Sequence, residues 1–246
     1  KLSFMKALIT GGSSDLGVAL AQALQQKGYA ILLTARTKPP LPFPFRAADL
    51  TQDRSSIISW IHEECPSLII NNAGAGLYGP ALSHSIPEQL DLLRLNAEAT
   101  LELTLEGAQT LLKQGKKGVI LNISSAAGSF PYPGFSIYAA SKGCITSFSQ
   151  ALDAELKDKG IRVLVACPGQ IATSFRQKAS KGHFVQSTPW SLPVNFVVKK
   201  LLKQIERKVP FSVIDYRYQI LLALTQIMPR SWRNALLINS LKKRYP

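Results

Sequence analysis

Met5-Lys6-Ala7-Leu8-Ile9-Thr10-Gly11-Gly12-Ser13-Ser14-Asp15-Leu16-Gly17 is the stretch on which the fold turns. Residues 5–10 form a short apolar run that ends in a turn. Leu16 to Lys27 follow with apolar residues at helical spacing, and Gly28 stops them. A strand that turns on glycine into a helix brings its backbone close to whatever lies beyond the strand end. Glycine permits a tight turn there, and the first helical N–H groups are open to negative charge such as a diphosphate. The plain alternative is a tight turn that binds nothing.

The rest of the chain repeats the alternation. Residues 30–34, 45–48 (weakly), 67–71, 119–123 and 161–166 read as strands. Residues 52–64, 88–112 and 137–157 read as helices, the second as one long helix. Pro39 to Pro44 cannot be helical and is expected to run extended. Strands alternating with helices imply crossovers, hence an α/β, doubly wound, Rossmann-like parallel sheet with helices on both faces. No repeat and no linker divides the chain, so residues 1–246 are expected to be a single domain. In it, residues 5–175 would carry the cofactor-binding and catalytic core, and residues 176–246 a substrate loop and carboxyl-terminal extension.

Chemistry concentrates after the expected fifth strand. Tyr138 and Lys142 are four residues apart and so share one helix face. An ammonium beside a phenol favours the phenolate and should lower the tyrosine's pKa from about 10. The phenol could then give a proton to a carbonyl oxygen or take one from an alcohol. Ser125, at the end of residues 119–123, could hydrogen-bond the same oxygen. The spacing selects Ser125 over its neighbour Ser124. Taken singly, these residues could be an ordinary helical pair and two turn serines.

Thr10-Gly11-x-x-x-Asp15-Leu16-Gly17, Asn71-Asn72-Ala73-Gly74, Asn96, Ser125, Tyr138-x-x-x-Lys142 and Pro168-Gly169-x-Ile171-x-Thr173 occur in this order. Together they resemble the short-chain dehydrogenase/reductase family over roughly residues 5–175. The resemblance implies about seven parallel strands, the seventh near residues 210–214, and hydride transfer with a nicotinamide cofactor. It implies a cradle made by Gly11, Ser13, Ser14, Asp15, Leu16 and Gly17, and further cofactor contacts at Asn72, Ala73 and Gly74. Tyr138 and Lys142 would also touch the cofactor, the lysine at the nicotinamide ribose. Pro168, Gly169, Ile171 and Thr173 would meet the nicotinamide carboxamide. Asn96 matches a position that anchors a water beside the lysine; otherwise it is an Asn that breaks a helix through side-chain bonding to the backbone. Association of two or four copies through residues 88–112 and 137–157 is implied as well. One departure stands out: the family usually has glycine where this chain has Asp15. A carboxylate there would repel a diphosphate, unless Asp15 turns away and caps the helix.

An acid after the second strand would favour NAD, and none is present. Arg36 and Lys38 instead offer cations to a 2′-phosphate, so NADP(H) is expected, with Arg36 as main discriminator. Asp49 and Leu50 match the adenine edge of the family. The substrate is expected to be a carbonyl compound or alcohol, and a hydrophobic one. Its walls would come from residues 126–132 and 174–192, which carry Phe130, Tyr132, Phe175, Phe184 and Trp190.

Charge is uneven. Residues 1–156 hold 12 basic and 12 acidic side chains, whereas residues 157–246 hold 17 and 3, so the net +14 lies in the last third. Residues 195–205 read as an amphipathic basic helix. The apolar segments 218–228 and 236–238 are flanked by Trp232, Arg233 and Lys242-Lys243-Arg244. This pattern fits a segment lying on an anionic membrane surface, or equally a helix pair packed on the domain or a second copy. Nucleic acid is not expected, because no aromatic-studded recognition motif occurs. No metal is expected either: His62, His84 and His183 are isolated, and Cys65, Cys144 and Cys167 lack ligand spacing. Scattered cysteines and the lack of a leader-like opening lead to an expectation of a cytoplasmic protein. Two rivals to the hydride-transfer reading remain, a nucleotide-binding scaffold without turnover and an epimerase on the same fold.

Overall fold

The computed structural model describes residues 5–183, 191–227 and 229. Seven parallel strands form one sheet in the order β3-β2-β1-β4-β5-β6-β7. They are β1 (Lys6–Thr10), β2 (Ala30–Ala35), β3 (Phe45–Ala47), β4 (Leu68–Asn71), β5 (Gly118–Ile123), β6 (Ile161–Cys167) and β7 (Phe211–Val213). The helices are α1 (Asp15–Gln26), α2 (Ser55–Glu64), α3 (Ile86–Leu93), α4 (Ala99–Lys113), α5 (Ser136–Leu156), α6 (Phe175–Ala179), α7 (Val194–Arg207) and α8 (Tyr216–Ile227). The expected Rossmann-like sheet is therefore the one observed.

Two apolar layers explain why the strands read as unbroken hydrophobic runs: both faces are covered. On one face, Leu20 and Leu24 of α1 and Val197 and Leu201 of α7 pack on Ile9, Leu33, Ile70 and Leu121. On the other, Ile57 and Ile61 of α2, Leu103 and Leu111 of α4 and Leu152 of α5 pack on Leu8, Ile69, Ile120 and Val163. A half-buried fork fixes α5 to β6: Arg162 donates twice to Asp153 at 2.8 Å, and the Val163 N–H donates to the same carboxylate. The sheet order reverses between β1 and β4. Crossovers leave the strand ends there in opposite directions, which opens a crevice at their carboxyl ends.

The expected long helix over residues 88–112 is helical throughout, from Ile86 to Lys113, but it is not regular α-helix. Ser85 and Glu88 start α3 with a reciprocal cap, and Arg94–Glu98 then form one π-helical turn before α4. The cause is Asn96. Its amide points inward, accepts from the Ala75 N–H at 2.9 Å and donates to the Ala75 carbonyl at 2.9 Å. A wide turn supplies the extra residue that lets it reach. Helix α2 begins at Ser55 rather than residue 52, because Asp53 accepts from the Ser55 N–H and fixes the start. Helix α6 was not expected within residues 174–192. Phe184, Trp190 and the expected segments around Trp232, residues 236–238 and Lys242-Lys243-Arg244 lie outside the described residues.

Candidate active site

The first half of the site is the glycine turn. Gly11 takes φ +65, and a side chain there would strike the Ala73 backbone, so only glycine closes this turn. Ser14, not Asp15, caps α1: its Oγ accepts from the Gly17 N–H at 3.0 Å. The expectation that Asp15 caps the helix is thus incorrect. Asp15 is the first helical residue, and the Gly17 N–H is already taken by Ser14. It accepts instead from the Ser174 N–H at 2.9 Å and the Ser174 Oγ at 3.1 Å.

Asn72 ties the end of β4 to this turn. Its amide donates to the Thr10 and Gly11 carbonyls and to Ser14 Oγ, and Thr10 Oγ1 accepts from the Asn72 and Ala73 N–H groups. The carboxamide of Asn72 therefore shapes the crevice from behind. Thr10 does similar work; the sequence marked it through the Thr10-Gly11 motif but gave it no role. The turn fits a diphosphate in all but one residue. The Asp15 and Leu16 N–H groups belong to a first turn without helical acceptors, whereas the Asp15 carboxylate opposes an anion. Arg36 stands exposed just beyond β2. Asp49 lies within its electrostatic reach; hydrogen bonds from Thr51, and secondarily Arg36, hold the Asp49 carboxyl below its usual range. Leu50 is buried beside Asp49.

The second half gathers at the ends of β4, β5 and β6. Ser125, Tyr138, Lys142 and Asn96 come together there, as their order in the sequence implied. Lys142 Nζ donates to the Ile123 carbonyl at 2.8 Å and lies 5.8 Å from the centre of the Tyr138 ring. Ser125 lies close enough to the Tyr138 phenol for its hydroxyl to favour the phenolate. A side chain at Gly74 would crowd Asn96 Oδ1 and Lys142 Nζ, so this glycine admits both groups. Asn96 also donates to Ser141 Oγ at 3.1 Å, tethering α5. Ser124 turns inward, donates to the Lys142 carbonyl at 2.7 Å and pairs with Thr146. It is a scaffold for the helix, and Ser125 is the serine that faces the phenol.

The expected lowering of the tyrosine's pKa is not what the structure gives. Burial pushes the Tyr138 phenol up to about 12, with the Ser125 hydrogen bond pulling weakly the other way. Burial likewise brings the Lys142 ammonium down to about 8. Both residues are less than a tenth exposed, and the loss of water is the largest influence on each.

The dryness comes from aromatic rings. Phe135 stacks on Tyr138 with centroids 4.1 Å apart, Tyr78 stacks on Phe135 at 3.8 Å, and Phe175 of α6 lies 5.8 Å from Tyr138. Phe130 and Tyr132 continue the wall. Phe135 and Tyr78 were missed in the sequence, where single aromatics in turn-rich stretches carry no periodic signal. Gly169 sits so close under the ring of Tyr218 that any side chain would collide with it. Pro168 accepts from the Ala126 N–H at 3.0 Å. Ile171 bridges to Leu192, and Thr173 Oγ1 accepts from the Phe175 N–H. Tyr218, on α8, could not be assigned to this wall before the helix was seen to fold back.

Residues 5–183 match the family described as short chain dehydrogenase. The chain belongs to that family. A very-long-chain 3-oxoacyl-CoA reductase of Anas platyrhynchos is 32% identical over 206 residues, which cover 74% of this chain and 64% of that relative. The match thus spans less than two thirds of the relative's length. Among solved structures, a short-chain dehydrogenase from Sphingobium yanoikuyae in complex with NADPH has a TM-score of 0.76 at 25% identity, covering 92% of this chain and 96% of that one. A bulky-bulky ketone specific alcohol dehydrogenase from Comamonas testosteroni has a TM-score of 0.75 at 26% identity, covering 93% and 96%. Family membership agrees with the motif order; the roles of single residues rest on the geometry above.

Proposed function

We propose that this member of the family is an NADP(H)-dependent oxidoreductase that moves a hydride between a nicotinamide and a hydrophobic carbonyl compound or secondary alcohol. One arrangement supports the reading. Ser125, Tyr138 and Lys142 converge in a dry aromatic recess at the same strand ends as the glycine turn. Bound NADPH would supply the hydride. The protein's own residues handle the oxygen. Ser125 donates a hydrogen bond to the carbonyl oxygen. Tyr138, whose raised pKa keeps it protonated near neutral pH, gives that oxygen its proton as negative charge collects there. Lys142 then lies close enough to favour the phenolate left behind. Gly11 to Gly17 would hold the diphosphate, Arg36 the 2′-phosphate, Asp49 the adenine edge, and residues 168–173 the carboxamide.

The substrate class follows from the walls. Tyr78, Phe130, Tyr132, Phe135 and Phe175 supply ring faces, and an apolar ketone gains most from them. The NADPH complex and the ketone-specific enzyme among the similar structures lend support. The test follows NADPH absorbance against a panel running from small polar aldehydes to bulky aryl ketones. Turnover of bulky ketones that Tyr138→Phe abolishes is expected; wild-type turnover of none of the panel would favour the scaffold instead.

The carboxyl-terminal helix adds a second element. Tyr218 and Leu222 of α8 pack on the domain, whereas Tyr216, Ile220 and Leu224, one helical turn apart in succession, are exposed. We take this stripe, with the basic charge of the last third, to meet an anionic membrane surface. No helix among the described residues is long and apolar enough to cross a membrane. Co-sedimentation with phosphatidylserine vesicles that fades in salt, and is lost in Ile220→Glu, is expected; indifference to the vesicles at low salt rejects the idea.

A further inference from the structure

Helix α6 has five residues, far too few to persist by its own hydrogen bonds. It also lacks a side-chain cap at its start. It is held by contacts with three other parts of the molecule. The Tyr78 N–H donates to the Ala179 carbonyl at 2.9 Å. Lys181, just past its end, pairs with Glu88 at 2.8 Å. At its beginning, the Ser174 N–H and Oγ both donate to the carboxylate of Asp15, 159 residues away in sequence. Ser174 is the hinge point between two functions. Thr173 precedes it on the cofactor side, and Phe175 follows it against Tyr138.

Resting on the oxidoreductase reading, we infer that Asp15 is a positioning residue for the substrate wall. Because Ser14 already caps α1, the Asp15 carboxylate is left to tie Ser174 instead. That tie sets the first turn of α6 and thereby the angle at which Phe175 covers Tyr138. The same negative charge stands at the helix end that a diphosphate approaches. Asp15 therefore weakens the grip on the dinucleotide while it fixes the substrate wall. One side chain affects two ligands in opposite senses through two separable properties. Its oxygen acts as hydrogen-bond acceptor for α6, and its charge acts on the cofactor.

Two substitutions separate them. Asp15→Asn keeps an acceptor oxygen and drops the charge; Asp15→Ala drops both. NADPH dissociation constants should fall several-fold in both variants alike. The KM for a bulky ketone should stay near the wild-type value in Asp15→Asn. It should rise about tenfold in Asp15→Ala, the loss of the hydrogen bond to Ser174 converted to a ratio, with kcat changed less. Amide exchange across residues 173–180 of the free protein gives a readout that needs neither cofactor nor turnover. It should quicken in Asp15→Ala and hold in Asp15→Asn while the melting temperature of both stays close to wild type. Unchanged exchange in Asp15→Ala, or equal KM shifts in the two variants, overturns the inference. A wild-type protein that turns over no ketone but shows the exchange pattern would refute the oxidoreductase reading and leave the tie standing.

Discussion

The two ends of the crevice solve opposite physical problems. At the β1–β2 end the working groups are wet: Arg36, Asp49, Ser13 and Asp15 are all exposed. At the β5 end Tyr138 and Lys142 are sealed behind rings. Water screens charges at the first end, so under the proposed function recognition there would depend on pairing a cation with a phosphate, each contact having a modest effect. At the second end there is little water to share a proton, so a single phenol and a single ammonium have large effects and large costs. The contrast teaches that, under the proposed function, the same crevice would be tolerant where it binds and exacting where it reacts.

The sharpest way to break this contrast is Tyr138→Phe. It should cut turnover by about 10²–10⁴-fold while NADPH binding, read by fluorescence titration, changes little. Comparable losses in both would mean the two ends are not separate. Next in size is Lys142→Met, which removes a buried charge. The folded ammonium titrates at about 8 against an ordinary 10.5. Between those values the unfolded chain holds a proton that the folded protein has released, so stability should rise with pH across that window. Below it the cost of burying the charge is fully present. Near pH 7 the methionine variant should be more stable by on the order of 1–3 kcal/mol in urea melts, with the rise between pH 8 and 10.5 gone. A variant that melts earlier at pH 7 would show that the bond to Ile123 outweighs the burial.

At the wet end, Arg36→Ala should weaken NADPH about 10-fold and leave NADH nearly unchanged. Equal losses would remove Arg36 from the phosphate's neighbourhood. The smallest effect sharpens the comparison between neighbouring serines. Ser124→Ala should cost about 1 kcal/mol of stability and leave kcat almost intact, whereas Ser125→Ala should lower kcat and leave the melting temperature near wild type.

How far the sequence carried these conclusions differs by element. The sheet was legible because its strands, buried on both faces, are unbroken apolar runs between helical periods. Ser125, Tyr138 and Lys142 were legible because their spacing is fixed by one strand end and one helix. What escaped was set by contacts distant in the chain. The π turn at Arg94–Glu98 depends on Ala75, the orientation of Asp15 depends on Ser174, and Tyr218 reaches Gly169 only after α8 folds back. The direction of the Tyr138 shift was misjudged for a similar reason. A sequence pairs the phenol with its lysine but does not display the rings that exclude water from both.

The π turn also changes which genetic lesions the protein can bear. A point substitution on the solvent side of residues 94–98 swaps one surface group for another. An in-frame loss of a single codon there would convert the turn to ordinary helix and rotate everything beyond it by roughly 100°. Asn96 would swing off Ala75, and the registry between α3 and α4 would be lost at once. For the solvent-side residues of this stretch, their count matters more than their identity.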